Sequence, residues 1–283
     1  MEVARTRAEL ASALLRLRDG GRSVGLVPTM GFLHEGHASL VDRAAALADR
    51  VVVSLFVNPL QFGPNEDLAS YPRSEARDLA LLEARGVALV FAPPAEEVYP
   101  QGEAIVTVSP GALERRLCGA FRPGHFRGVL TVVAKLFGLV RPDVAVFGRK
   151  DFQQAVLIRR MVEDLDLGVR VETGDIVREP DGLAMSSRNL YLGPEERRQA
   201  TGLQAGLSAA AALWAGGESR SERLLGEVVR AAAERPLLAL QYAEAVHPRT
   251  LDAVEVAEPG TVLAVAAFCG TTRLIDNLEL TSA

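Results

Sequence analysis

Val27-Pro28-Thr29-Met30-Gly31-Phe32-Leu33-His34-Glu35-Gly36-His37 decides how the rest of the chain is read. An apolar run ends at Pro28, a glycine turn follows, and a His-x-Gly-His cluster opens a helical pattern. Strand, turn and helix in that order form the context required of a nucleotide-binding turn. Backbone N–H groups at a helix start are unpaired and carry the positive end of the dipole, so they attract phosphate. Gly36 lets a ligand approach the backbone closely. His34 and His37, three apart, share one face of a first turn. Four histidines exist in the chain and two of them fall here. Imidazole donors at such a place suit phosphate oxygens that gain charge during transfer. The plainer readings are a structural histidine pair or two ligands of a metal site. The metal reading lacks further ligands, because Cys118 and Cys269 offer no sensible spacing.

Outward from this turn, residues 1–175 alternate short apolar runs with amphipathic segments of helix length. Residues 23–28, 51–57, 87–91 and 144–147 read as buried strands, and 38–48, 74–85, 129–140 and 152–165 as helices. Residues 1–17 read as a first helix, since Glu2 and Glu9 interrupt what could otherwise be a transit peptide. Buried strands alternating with helices predict an α/β fold with a parallel sheet covered on both faces. Ligands of such sheets lie beyond the carboxyl ends of the strands. After Arg178-Glu179-Pro180-Asp181-Gly182 the composition changes. Residues 194–215 and 218–234 are helical in pattern, and 240–245, 261–267 and 272–280 are extended. A second, smaller α/β domain over residues 176–283 is expected.

Lys150 is one of two lysines in a chain with 29 arginines, and it follows an apolar run in Phe147-Gly148-Arg149-Lys150-Asp151. A compact ammonium enters a tight phosphate pocket that a planar guanidinium cannot enter in the same way. Met185-Ser186-Ser187-Arg188-Asn189 offers two hydroxyls and a guanidinium as a mobile phosphate grip. By itself it is also an ordinary exposed loop. Asn58 and Gln61 in Asn58-Pro59-Leu60-Gln61-Phe62, with Gln153 and Gln154, supply neutral amides for hydroxyls and carboxylates. Pro59 sets the turn that presents Asn58. His125, Arg122 and Arg127 make a separate basic loop, either a cover for the site or plain surface charge.

Bulk properties narrow the classes. With 283 residues and 48% hydrophobic content, the chain can build real cores. A formal charge of -5 argues against a dedicated nucleic-acid binder. Two distant cysteines point to a reducing compartment, and no apolar run reaches the length of a membrane span, so a cytoplasmic protein is expected.

Five blocks together resemble the pantothenate synthetases, the pantoate–β-alanine ligases of the HxGH nucleotidyltransferase superfamily. They are the 28–37 turn, Phe56-Val57-Asn58-Pro59-Leu60-Gln61-Phe62, Phe121-Arg122-Pro123-Gly124-His125-Phe126-Arg127-Gly128, Phe147-Gly148-Arg149-Lys150-Asp151-Phe152-Gln153-Gln154, and Met185-Ser186-Ser187-Arg188-Asn189. The HxGH turn alone is shared with nucleotidylyltransferases and class I aminoacyl-tRNA synthetases. A cytidylyl- or adenylyltransferase and a non-catalytic nucleotide binder are the other classes it allows.

The resemblance implies an ATP-dependent ligase that joins (R)-pantoate to β-alanine through pantoyl adenylate, releasing AMP and pyrophosphate. It implies a Rossmann-like domain over 1–175, a lid over 176–283, a Mg²⁺ requirement and a homodimer. ATP contacts would fall on Met30, Gly31, Phe32, Leu33, His34, Glu35, Gly36, His37, Gly148, Arg149, Lys150, Asp151, Val177, Met185, Ser186, Ser187 and Arg188. Pantoate would meet Gln61 and Gln154, with β-alanine also near Gln61, and His37 would be the proton donor. His34, Lys150, Ser186, Ser187 and Arg188 would stabilise the reacting phosphates. Arg149 stands where the family usually has Glu, and Phe152 often corresponds to Tyr. Asp78 is the acidic candidate for a metal ligand, although Arg77 and Leu81 beside it are poor ones.

Overall fold

The computed structural model describes residues 1–64, 66–102 and 104–282. Among these, six strands form one sheet: β1 (Glu2–Ala4), β2 (Val24–Thr29), β3 (Arg50–Leu55), β4 (Leu89–Phe91), β5 (Val144–Gly148) and β6 (Arg170–Gly174). Their order is β1-β4-β3-β2-β5-β6 and every neighbouring pair is parallel. Parallel pairing requires crossovers, supplied mainly by helices α1 (Arg7–Leu17), α2 (Glu35–Ala45), α3 (Glu75–Ala84), α4 (Ala95–Val98), α5 (Leu117–Phe121), α6 (His125–Val140) and α7 (Phe152–Asp164). From β2 the chain winds outward to β3 and β4, then returns to place β5 against the other side of β2. The switch point of the sheet therefore lies between β2 and β5, where α/β proteins open a ligand crevice. Val27, Leu33, Val41, Val53, Val90 and Val146 share one of its cores.

Three helices and three strands follow: α8 (Pro194–Ala200), α9 (Gly202–Ala215), α10 (Ser221–Ala233), β7 (Leu238–Val246), β8 (Val262–Cys269) and β9 (Thr272–Glu279). The strands form an antiparallel sheet in chain order. Leu203, Leu207, Leu224 and Val228 from the helices share a core with Leu263, Val265 and Leu274 from the sheet. The chain groups into two compact units. The first is Met1–Glu114, Gly119–Arg149 and Leu157–Asp175; the second is Arg115–Cys118, Lys150–Val156 and Ile176–Ala283. No change of composition marks the short stretches that join the second unit.

Several elements differ from the pattern-based expectation. The first helix is preceded by β1, which pairs with Leu89–Phe91. That helix begins only after Thr6, whose side chain forms a capping box with Glu9. The charged edge strand β6 carries no apolar run, and periodicity does not predict it. Helix α6 starts at His125, earlier than the apolar periodicity suggests, after Gly124 at φ 80°. The expected 194–215 helix is two helices meeting at Thr201.

Candidate active site

β2 delivers the chain into a tight turn. Thr29 Oγ1 donates to the Ser54 carbonyl at 2.8 Å and accepts the Gly31 N–H at 3.2 Å. Gly31 has φ 85°, and Phe32 has φ 50°, a conformation that costs a non-glycine residue about 1–3 kcal/mol. The turn is held from α3. Asp78 accepts the Phe32 N–H on one carboxylate oxygen and the Leu33 N–H on the other, each at 2.7 Å. Arg77, next to it, lies 5.1 Å from the Phe32 ring centre. Burial pushes the Asp78 carboxyl above its ordinary range, and the two N–H donors pull against that shift. Asp78 is 2% exposed with both oxygens engaged, so it lacks the open oxygen face expected of a metal ligand. Among the described residues no three His, Cys, Asp or Glu side chains gather into a possible metal site. Asp78 itself does not fit a metal ligand, and the geometry makes it an anchor of the turn.

The two histidines cap α2 reciprocally. His34 Nδ1 accepts the Gly36 N–H at 3.1 Å, and His37 Nδ1 accepts the His34 N–H at 3.3 Å. This is capping-box spacing with imidazoles replacing the usual hydroxyl and carboxylate. The rings lie 4.1 Å apart, centre to centre. An Nδ1 that accepts leaves the ring proton on Nε2, so each ring offers an Nε2–H donor. The helix start is thus less open than expected. Gly36 N–H goes to His34 Nδ1, and His37 N–H goes to the His34 carbonyl at 2.8 Å. Donor capacity for an anion passes from those amides to the imidazoles. Leu33 is fully buried, and the exposed Glu35 carboxylate pairs with Arg85 at 2.8 Å.

Asn58 caps, and Gln61 ends, a short 3₁₀ turn, Pro59–Gln61, after β3. Asn58 Nδ2 donates to Gln61 Oε1 and to the Gly128 carbonyl, both at 3.1 Å. Its Oδ1 accepts from Tyr99 Oη at 2.9 Å and from Leu60 N at 3.3 Å. Gln61 Nε2 points to Met30 Sδ at 2.9 Å. Helix α6 reaches Asn58 only because residue 128 is glycine: a Cβ there would lie 2.1 Å from the Leu60 carbonyl oxygen. The expected basic loop is tied down. Arg122 grips Glu66 with Nε at 2.6 Å and Nη2 at 2.5 Å, and its Nη1 lies 3.0 Å from His125 Nε2. His125 Nδ1 lies 2.7 Å from the Gln61 carbonyl oxygen. A guanidinium only donates and a carbonyl only accepts, so His125 accepts at Nε2 and donates from Nδ1. Burial pushes the Glu66 carboxyl up, but the Arg122 hydrogen bonds and charge outweigh it and hold the group low.

The second unit carries the lysine. Lys150 is partly buried, and among the described residues its ammonium makes no hydrogen bond or ion pair. Burial pulls its pKa below the ordinary lysine value; Asp151 and Asp276 oppose the shift, and the positive charge of Arg188 adds to it. The backbone around Lys150 is pinned by Asn277, whose Nδ2 donates to the Lys150 carbonyl at 3.0 Å. Next to it on β9, buried Asp276 takes a bidentate grip from Arg178 at 2.7 and 3.0 Å. Asp276 is thereby paired away from the lysine.

The 185–189 segment begins where Met185 N–H donates to the Val177 carbonyl at 3.0 Å. Ser186 Oγ accepts the Arg188 N–H at 3.3 Å and opens a 3₁₀ turn over Ser187–Tyr191. Ser187 and Asn189 are buried, and Asn189 donates to Glu179 and to the Ala184 carbonyl. Gln153 is buried with its amide on the Arg116 carbonyl, a structural bond. Gln154 is partly buried, and its amide makes no hydrogen bond among the described residues. Arg149 lies 3.9 Å from exposed Asp175, with Gly148 ending β5 and Asp151 exposed. Glu66, Tyr99, Asp276 and Asn277 carry no motif, and pattern reading missed them.

These arrangements have relatives. A sequence model of the family described as Pantoate-beta-alanine ligase matches residues 2–279. The pantothenate synthetase of Thermoanaerobacter sp. (strain X514) is 54% identical over 258 residues, covering 91% of each chain. Pantothenate synthetase 1 of Bradyrhizobium diazoefficiens is 53% identical over 283 residues, 99% of this chain and 98% of that one. The crystal structure of pantothenate synthetase from Thermus thermophilus superposes with a TM-score of 0.94 at 47% identity, covering 100% of both chains. That of pantoate-beta-alanine ligase from Francisella tularensis, complexed with beta-gamma ATP and beta-alanine, gives 0.80 at 31% identity, over 100% of this chain and 99% of that one. With the family matched over nearly the whole length, and the five blocks lying at strand ends and turns of an α/β fold, this chain belongs to the pantoate–β-alanine ligases, enzymes that form a carbon–nitrogen bond.

Proposed function

We propose that this ligase activates pantoate as an acyl adenylate. A carboxylate and an amine do not condense at neutral pH, because oxide is a hopeless leaving group. In the proposed route the pantoate carboxylate attacks the α-phosphorus of ATP, forming a P–O bond as pyrophosphate departs. The unprotonated amine of β-alanine then attacks the acyl carbon of pantoyl adenylate, AMP leaves with the bonding pair, and the proton shed by the amide nitrogen passes to solvent. No protein nucleophile enters either step, so the chain's work is positioning and charge stabilisation.

The observation that carries this reading is the Lys150 ammonium, partly buried, making no hydrogen bond or ion pair among the described residues, and with the positive charge of Arg188 adding to its field. A partly desolvated cation that no carboxylate pairs with directly is stabilised by an incoming anion, and a triphosphate is the anion the family supplies. His34 and His37 would donate from Nε2 to phosphate oxygens, with His37 as the proton donor. Ser186, Ser187 and Arg188 would add donors from the 185–189 segment, while the backbone of residues 30–36, 148–151, 177 and 185 would contact the nucleotide. Asn58, Gln61 and Gln154 would hold pantoate, and β-alanine would follow near Gln61. Mg²⁺ would come bound to ATP, with phosphates and water as ligands.

The test is exchange of labelled pyrophosphate into ATP without β-alanine. Exchange that requires pantoate is expected, with AMP formed once β-alanine is added. ADP and phosphate as products would overturn the reading.

Three further parts are proposed on the family resemblance. Residues 176–283 would act as a lid on a 1–175 domain, so a smaller radius of gyration is expected with ATP and pantoate; an unchanged scattering profile would count against it. Sedimentation at dimer mass would support a homodimer, and monomer mass at micromolar protein would exclude it. A cytoplasmic location is consistent with helices that are all too short or too polar to cross a membrane, among the described residues.

A further inference from the structure

Two backbone groups of opposite kind bracket the Asn58 carboxamide. The Leu60 N–H can only donate and lies 3.3 Å from Oδ1; the Gly128 carbonyl can only accept and lies 3.1 Å from Nδ2. The amide therefore has one orientation. Its second N–H faces Gln61 at 3.1 Å, so the facing atom of Gln61 is the acceptor Oε1. The second lone pair of Asn58 Oδ1 takes the Tyr99 hydroxyl at 2.9 Å. All four hydrogen bonds of this 1%-exposed carboxamide are then made. Tyr99 stays a donor, because burial raises its pKa above the ordinary tyrosine value.

The far end of the chain of bonds is what a substrate meets. With Oε1 consumed, Gln61 turns Nε2 outward, where its partner is Met30 Sδ at 2.9 Å. A thioether is a weak acceptor, and an oxygen would replace it with gain. The backbone of Gln61 is fixed separately, through its carbonyl, by His125 and by Arg122 at 3.4 Å.

We propose that Tyr99 is a positioning residue that, through Asn58, commits Gln61 to presenting an N–H donor. The site then takes a carboxylate or hydroxyl oxygen where Met30 Sδ now lies, and it rejects an ammonium there. The proposal rests on the reading that Gln61 contacts substrate. It also fixes polarity for both substrates, because β-alanine could bring only its carboxylate end to Gln61.

A double-mutant cycle on the intact enzyme tests this. Tyr99→Phe keeps the ring, which packs on Phe56 with centres 6.1 Å apart, and removes only the donor. Expected is a roughly three- to tenfold rise in KM for pantoate, from the loss of one buried hydrogen bond. KM for ATP should hold, and the melting temperature should fall by no more than about 2–4 °C, the shift that about 1 kcal/mol produces in a domain of this size. In a Gln61→Ala background the same substitution should do nothing more. Gln61→Glu, which turns an acceptor outward, should raise the pantoate KM at least as far as Gln61→Ala. An equal Tyr99→Phe effect in both backgrounds, no effect in either, or a wild-type pantoate KM in Gln61→Glu would overturn the proposal. If Gln61→Ala leaves KM for both pantoate and β-alanine unchanged, the underlying reading of Gln61 fails first and takes the proposal with it.

Discussion

The Asp78 carboxylate meets the Phe32 backbone N–H at 2.7 Å, and the bond holds a non-glycine residue at φ 50° two residues before the histidine cap. Asp78→Asn puts an NH₂ where one of two N–H groups needs an acceptor, and Asp78→Ala removes both acceptors. Each orphaned buried N–H costs about 1–3 kcal/mol. Urea unfolding should show that loss, larger for Ala than for Asn, together with weaker ATP binding. Unchanged stability with an altered Mg²⁺ requirement would show instead that Asp78 serves the metal.

The cap and the chemistry of the histidine pair can be separated. His37→Asn keeps an acceptor near the position of Nδ1 for the His34 N–H and deletes Nε2–H. Stability should stay within about 0.5 kcal/mol, as for interchange of good caps. Adenylate formation should fall by about a hundredfold, the size expected for one oriented donor. Near-normal single-turnover rates in His37→Asn would leave the pair with a structural role only.

For Lys150 the sign of the pH effect follows from its lowered pKa. Between that lowered value and the ordinary lysine value, the unfolded chain binds more protons than the folded one. This residue's contribution to stability therefore rises with pH across that window. ATP affinity runs the other way, since only the ammonium attracts phosphate. Binding should take up a proton in the same window, visible by calorimetry in buffers of different ionisation enthalpy. Lys150→Met should abolish the uptake, and Lys150→Ala should slow pyrophosphate exchange by about a hundredfold. Identical proton uptake in wild type and Lys150→Met would assign the proton elsewhere.

Gly128→Ala would place a methyl 2.1 Å from the Leu60 carbonyl oxygen and 2.7 Å from the Gln61 nitrogen. Helix α6 must then withdraw, taking the Gly128 carbonyl from Asn58. Overpacking of this kind costs about 1–3 kcal/mol. KM for pantoate should rise more than KM for ATP, and a rise confined to ATP would contradict the assigned geometry.

The strands β2, β3, β4 and β5 were legible because each is an apolar run buried on both faces. β1 and β6 were not: Glu2-Val3-Ala4 is three residues at an edge, and Arg170-Val171-Glu172-Thr173-Gly174 is polar, half exposed and ends in glycine. Pairing alone makes them strands. At the site, His34, His37, Asn58 and Gln61 were legible because local turns present them. Tyr99 and Glu66 were hidden because they reach their partners across 41 and 56 residues of sequence. Asp78 stands out in the sequence for its charge but not for its use, because a sequence does not show that two backbone N–H groups await it.

The most direct test of the adenylate route follows oxygen. With pantoate labelled by ¹⁸O in its carboxylate, the enzyme, ATP and β-alanine should yield AMP carrying one atom of label and pyrophosphate carrying none. Label in inorganic phosphate, or unlabelled AMP alongside fully labelled pantothenate, would contradict attack by the carboxylate on the α-phosphorus.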